Sequence, residues 1–187
     1  MSFVSIFARK NFITVMSDGQ VTGANDVIIQ RDYKKFKKIS DKQIIAFAGA
    51  KEICEQMINQ LPYTSLKYNL SDIANQILAI IQEERFNDFN LFFGLAGIDI
   101  DNEVSLILIT NKDGISFTRP TPDSDISYIT LNPSEKVDIN EKIIGVLSET
   151  GFNTPNKCLK AQKKLNDYMA DNDPKVNKHI FELTIKI

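Results

Sequence analysis

Along the first fifty residues, apolar positions come in short dense runs broken by charged or turn-forming pairs. "FVSIFARK" and "FITVMSD" flank Lys10 and Asn11, a pattern that predicts a β-hairpin. "DVIIQ" and "YKKFKKI" suggest a second, edge-like pair. "QIIAFAGA" is a continuous apolar run, as expected of a strand buried on both faces. Gly49 then lets the chain turn directly into a helix, "KEICEQMINQL", whose Ile53, Met57 and Leu61 fall on one face before Pro62 stops it. Ser71 and Asp72 open a second helix that runs to about Arg85, with Ile73, Ile77, Ile80 and Ile81 as its apolar stripe. Three strand signals follow, "FNLFFGLAGI", "EVSLILIT" and "ISFTRP", joined by turns at "DIDN" and "NKDG". "DISYITLN" predicts a further strand. Helical patterns over Glu135–Leu147 and Asn156–Met169 come next, and "KHIFELTIKI" alternates as a closing strand.

The order is strands, two helices, strands, two helices, strand. Strands come in hairpin-linked blocks and not as repeated βαβ units, which predicts an α+β fold with mostly antiparallel sheets. Helix pairs between strand blocks imply a layered sandwich with sheets inside and helices outside. The chain has no internal repeat and no low-complexity tract, so residues 1–187 read as one domain. "RPTPDSD" is a loop.

Composition narrows the function. Apolar residues make up 43% and charged residues 25% of the chain, both ordinary for a globular domain, and the net charge is −2. The basic run "RDYKKFKKISDK" is offset by acidic residues elsewhere, which argues against nucleic-acid and membrane partners. No apolar stretch reaches the roughly 18 residues of a membrane span. No secretory signal opens the chain either, since Arg9 and Lys10 interrupt the first apolar run, and a cytoplasmic location is expected. Cys54 and Cys158 fall in separate helices and read as buried, reduced thiols. The single histidine, His179, sits in the closing strand pattern, so a serine or cysteine triad has only that one imidazole to draw on. Zinc ligand sets, a Walker loop and a dinucleotide fingerprint are all missing. Turn chemistry accounts for the carboxylates of "DIDNE" and "DND". No metal and no cofactor is called for.

Two small oddities stand out in this background. Ser2 heads an apolar strand directly after Met1, and Asp18 closes the next one, where a bulky apolar residue would pack better. "ITVMSDGQVTG", followed by "YKKFKKISDKQIIAFAGA" opening a helix, resembles the N-terminal part of proteasome β-type subunits, and most closely their bacterial, HslV-type branch. "FNLFFGLAGIDIDNEVSLILIT" resembles the central strands of that family, and "HIFELTIKI" its closing strand. The resemblance spans most of the chain, with its specific motifs in residues 2–50. It implies the four-layer αββα sandwich of N-terminal-nucleophile (Ntn) hydrolases.

The resemblance also assigns residues. The family's nucleophile is the first residue of the mature chain and its aspartate lies sixteen residues further on, which places Ser2 at the nucleophile position and Asp18 at the aspartate. The family's lysine maps to Lys35, with Lys34 as the fallback. Gly49 maps to the strand-to-helix glycine whose N–H holds the oxyanion. Thr130 stands nearest the family's later serine, in "YITLNPSEK", where the usual glycines are missing. The family's second aspartate falls among Asp167, Asp171 and Asp173.

The chemistry is coherent. A hydroxyl needs a base to become a useful nucleophile. A free α-amine, with a pKa near 7.7–8.0, is in large part neutral at pH 7. With Ser2 first in the chain, its own amine takes the hydroxyl proton. Lys35 favours both deprotonations by its charge, and Asp18 holds Lys35 in place. With Met1 attached, that amine is an amide and cannot serve.

The implied function is an amide hydrolase of the serine or threonine peptidase kind. Its expected substrate is a peptide or protein, and its expected assembly is a homo-oligomer, in the family a ring that works with an unfoldase ATPase. The alternative is a non-catalytic scaffold or binding protein, a role that proteasome α-type subunits show the fold can take without a nucleophile. A third reading is a small-molecule amidase on the same fold.

Overall fold

The computed structural model describes residues 2–121, 125–133 and 137–187. In chain order the strands are β1 (Val4–Arg9), β2 (Phe12–Asp18), β3 (Val21–Thr22), β4 (Ile28–Gln30), β5 (Phe36–Ser40) and β6 (Gln43–Ala48). Helices α1 (Lys51–Asn59) and α2 (Leu70–Ile81) follow, then β7 (Phe92–Ile98), β8 (Val104–Thr110), β9 (Gly114–Thr118) and β10 (Ser127–Leu131). Helices α3 (Asn140–Thr150) and α4 (Pro155–Asn172) and strand β11 (Ile180–Lys186) complete the chain.

These elements build two antiparallel sheets, β10-β1-β2-β11 and β5-β6-β7-β8-β9. The alternation of side chains along β1 explains the layering. Val4 and Ile6 point one way and join Val15, Ile44, Ala46 and Leu106 in a core between the sheets. Phe3 and Phe7 point the other way, onto Ile143 of α3 and Leu165 and Met169 of α4. On the far side, Ile45, Phe47 and Phe93 pack on Cys54 of α1 and on Ile73 and Ile77 of α2. The result is the expected α–β–β–α sandwich. Both central layers are covered on both faces, which is why their strands read as unbroken apolar runs.

The second hairpin is not the expected one. "DVIIQ" does not pair with "YKKFKKI": β4 pairs with β3 in a small separate sheet, and β5 pairs with β6. Burial decides between the two partners. Phe36 and Ile39 of β5 are buried, whereas Ile28 and Ile29 of β4 are exposed. Only the strand that brings apolar side chains to the core joins the main sheet.

Helix boundaries also shift. Asn69, not Ser71, caps α2, its side chain accepting from the N–H groups of Ser71 and Asp72. α2 stops at Ile81, and Glu84–Phe86 forms a separate 3-10 turn. On α1 the buried residues are Cys54, Met57 and Ile58, with Ile53 and Leu61 only partly covered. α3 starts at Asn140, and residues 135 and 136 of its expected first turn lie outside the described residues. Thr154 caps α4 by accepting from the Lys157 N–H, and Pro155 occupies its first turn. The carboxylates of "DIDNE" hold turns: Asp99 accepts from the N–H groups of Leu70 and Ile100, and Asp101 from that of Glu103. Among the described residues, no helix is long and apolar enough to cross a membrane.

Cys54 and Cys158 are free and buried, in α1 and α4. Burial pushes the Cys158 thiol up to about 11 and the Cys54 thiol higher still. The thiolate is the reactive form. The native protein is therefore expected to take up no iodoacetamide at pH 8, and the urea-unfolded protein two equivalents, read by intact mass.

Candidate active site

The site starts from Asp18, the last residue of β2, which is fully buried. Its Oδ1 accepts from the Phe3 N–H at 2.7 Å and from Lys35 Nζ at 2.5 Å. Its Oδ2 accepts from the Gln20 N–H at 2.8 Å. The Asp18 N–H in turn donates to the Phe3 carbonyl at 3.1 Å. One carboxylate thus ties the chain start to the β2–β3 turn and to the segment entering β5. Ser2 immediately precedes the pinned Phe3 and is itself buried.

Lys35 is 1% exposed, and its ion pair with Asp18 lies wholly inside the protein. Burial pushes its ammonium below the ordinary lysine range, and the charge and hydrogen bond of Asp18 pull it back. Lys34, the fallback, is exposed and lies over the Phe36 ring. Of the two lysines, Lys35 is the one that meets Asp18.

Ser2, Lys35 and Gly49 line one small cleft, walled by Tyr33, Phe47 and Lys51. Gly49 makes the corner between β6 and α1 at φ 126°, where an L side chain is strained. Three of the expected site residues thus meet at one cavity, and the fourth, Asp18, holds one of them from behind.

Thr130 does not join them. It stands opposite Ser5 in the β1–β10 ladder, and cross-strand neighbours share a face. That face looks onto α3 and α4: Ser5 accepts from Gln162 of α4, and Tyr128, two residues before Thr130, packs in the same core. The residues that follow β10 come closer, since Pro133 lines a groove together with Gly49, Asn90 and Lys175.

The three aspartates separate clearly. Asp171 is exposed and pairs with Lys178 at 2.6 Å, and Asp167 lies within 3.5 Å of Lys163. Asp173 closes α4, is 2% exposed, and accepts from the Lys175 N–H through Oδ1, while its Oδ2, like Asp167 Oδ1, is buried with no partner among the described residues. The adjacent Pro174 carbonyl accepts from Gln20 Nε2 at 2.7 Å, so Asp173 borders the Asp18 network. His179 is exposed, stacks edge-on against Phe181 and does not line the cavity.

Sequence reading missed several residues of the surroundings. Asn177 accepts from the Gly19 N–H and donates to the Arg31 carbonyl, clamping both loops beside Asp18 and Lys35. Nothing local marks it, because these contacts span 158 and 146 residues. Tyr33 and Lys51 carried a usable signal: one lies two positions before Lys35, and the other is the first residue of the helix that Gly49 opens.

Two antiparallel sheets between helix pairs, with a buried Asp–Lys pair beside the chain start, define the proteasome class of the Ntn-hydrolase fold. The Proteasome subunit family matches residues 7–118, more than half of the chain, and the protein belongs to that family. The matched span includes Asp18, Lys35 and Gly49 and begins after Ser2. Among solved structures, the fold is similar to that of eukaryotic HslV from Trypanosoma brucei, with a TM-score of 0.65 at 14% identity over 99% of each chain. No curated protein matches the sequence.

Proposed function

We propose that the protein is an Ntn amide hydrolase acting on peptide bonds, with Ser2 as the nucleophile once Met1 is removed. Met1 itself lies outside the described residues. The observation that carries this reading is the buried Asp18–Lys35 pair meeting Ser2 and Gly49 at one cavity.

The shared cleft and the buried ion pair support the following roles. The α-amine of Ser2 takes the proton from Oγ as Oγ bonds to the scissile carbonyl carbon. Lys35 favours the alkoxide by its charge, and Asp18 fixes Lys35. Gly49 offers its N–H to the oxyanion. The C–N bond then breaks, the amine of Ser2 passes its proton to the leaving nitrogen, and an ester to Ser2 remains. Water, deprotonated by the same amine, hydrolyses that ester. Asp173 takes the place of the second aspartate, and Thr130 has no part in the reaction. No cofactor enters any step. The same reading takes residues 1–187 as one domain in a homo-oligomer, in the cytoplasm, with a ring and an ATPase partner as its fullest form.

Three measurements test the reading. Intact mass is expected to show Ser2 as the first residue of the mature protein. Ser2→Ala is expected to fold normally and to lose at least about a thousandfold in peptide hydrolysis. A peptide epoxyketone is expected to add to the wild type and not to the variant. The direction of Thr130 favours the scaffold reading instead. Retained Met1 together with no adduct, under conditions that label a control protease, would establish the scaffold.

A further inference from the structure

The cavity beside Ser2 has a wall whose chemistry the hydrolytic steps leave unused. The rings of Tyr33 and Phe47 lie 6.1 Å apart, tilted against each other. The Tyr33 hydroxyl donates to the Glu55 carboxylate of α1, which fixes the ring. Burial, then the hydrogen bond to Glu55, push the phenol above its ordinary range, so it stays a neutral donor. The Lys51 ammonium sits 4.3 Å from the centre of that ring. A ring whose hydroxyl donates to a carboxylate is the more electron-rich, so the Glu55–Tyr33 bond helps seat Lys51 by cation–π attraction.

Lys51 has no carboxylate within ion-pair distance among the described residues. Its other polar contact is Gln30 Oε1, at 3.5 Å. Lys35, the other ammonium at the cavity, is taken up by Asp18. Lys51 is also the first residue of α1, and Ala50 before it provides no side-chain cap. The free N–H groups of the first turn therefore add to the positive potential there. The cavity thus joins aromatic walls, which suit methylene groups, to a cation that lacks an anion.

We propose that this cavity selects an acidic side chain, glutamate or aspartate, on the residue whose carbonyl is attacked. The proposal rests on Ser2 being the nucleophile. Ser2 lines the cavity, so the side chain nearest the attacked carbonyl is the one within reach. Lys51 pairs with its carboxylate, and Tyr33 and Phe47 cover its methylenes. Without an acidic group, Lys51 gains nothing from being desolvated by the substrate.

The test uses the protein with Ser2 first and peptide amides that differ only at that residue: Glu, Gln, Leu and Lys. The expected kcat/KM for Glu exceeds that for Gln by about tenfold, the scale of a charge-assisted hydrogen bond. Lys51→Gln is expected to reduce cleavage of the Glu peptide about tenfold more than cleavage of the Gln peptide. Lys51→Glu is expected to move the preference to the Lys peptide. Wild type that cleaves the Leu or Lys peptide better than the Glu peptide overturns the acidic preference and leaves the hydrolase reading intact. A Glu-to-Gln ratio that survives both variants does the same to the role of Lys51. If none of the four peptides is cleaved, the hydrolase reading itself falls, and this inference with it. The wild-type ratio decides the preference even if a variant fails to fold.

Discussion

Replacing Lys35 with methionine is expected to abolish peptide hydrolysis and to lower the melting temperature by about 6–20 °C. The size follows from burial. Asp18 is fully buried and Lys35 is 1% exposed, so removing the ammonium leaves a carboxylate in the interior with only the N–H groups of Phe3 and Gln20 around it. Breaking a buried pair in this way costs about 3–5 kcal/mol. For a chain of this size, each kcal/mol moves the melting temperature by about 2–4 °C. The double variant Asp18→Asn with Lys35→Met separates the two roles. It removes the stranded charge, so most of the lost stability is expected to return, whereas hydrolysis is expected to stay absent because the cation beside Ser2 is gone. If Lys35→Met melts within about 2 °C of the wild type, the pair contributes little to the fold. If it also retains hydrolysis, Lys35 is not part of the site. Differential scanning calorimetry and a peptide assay on the same preparations read both outcomes.

Asp18 was legible in the sequence because it breaks a local rule. Asp18 stands at the end of an unbroken apolar run, where only a partner inside the protein makes a carboxylate tolerable. Lys35 gave no local sign, since it lies in a run with Lys34, Lys37 and Lys38, and only the resemblance to the family's lysine position singled it out. The layering was legible for a similar reason: β1, β2 and β6 are apolar on both faces, which requires a covering layer on each side. Strand partners were not legible. β4 and β5 carry similar patterns, and which of them joins β6 depends on whether Phe36 and Ile39 or Ile28 and Ile29 reach the core, a three-dimensional question. Thr130 was misplaced by the same kind of ambiguity. A strand alternates faces at every residue, so a motif lacking its glycines leaves the register free, and one step decides whether a side chain meets the core between the sheets, as Ile129 and Leu131 do, or the α3–α4 face. The Tyr33–Glu55–Lys51 arrangement joins a loop residue to two helix positions, and it became visible only once Gly49 had set the angle of α1 against the sheet.

That corner supplies the second large effect. Gly49→Ala is expected to destabilise the protein by about 2–6 kcal/mol and to lower kcat/KM further than the loss of folded protein explains. Two costs add. The backbone holds φ 126°, which strains any L side chain by roughly 1–3 kcal/mol. A methyl group there would also lie 2.2 Å from the Asn90 carbonyl oxygen, so the backbone entering β7 must move, at a typical overpacking cost of about 1–3 kcal/mol. The same movement shifts the start of α1 and with it both the Gly49 N–H and Lys51. The contrasting variant is Gly145→Ala. Gly145 is exposed on α3, nothing lies within 4 Å of the added methyl, and its φ is unremarkable for a helix. There the substitution only removes unfolded-chain freedom, so a gain of about 0.5–1 kcal/mol with unchanged hydrolysis is expected. Urea midpoints and kcat/KM, measured where every variant is fully folded, check both signs. A Gly49→Ala protein with a wild-type midpoint would mean that the corner is free to open. Unchanged hydrolysis in that protein would take the oxyanion role away from Gly49, because an N–H moved with its backbone no longer meets the charge that develops on the attacked carbonyl.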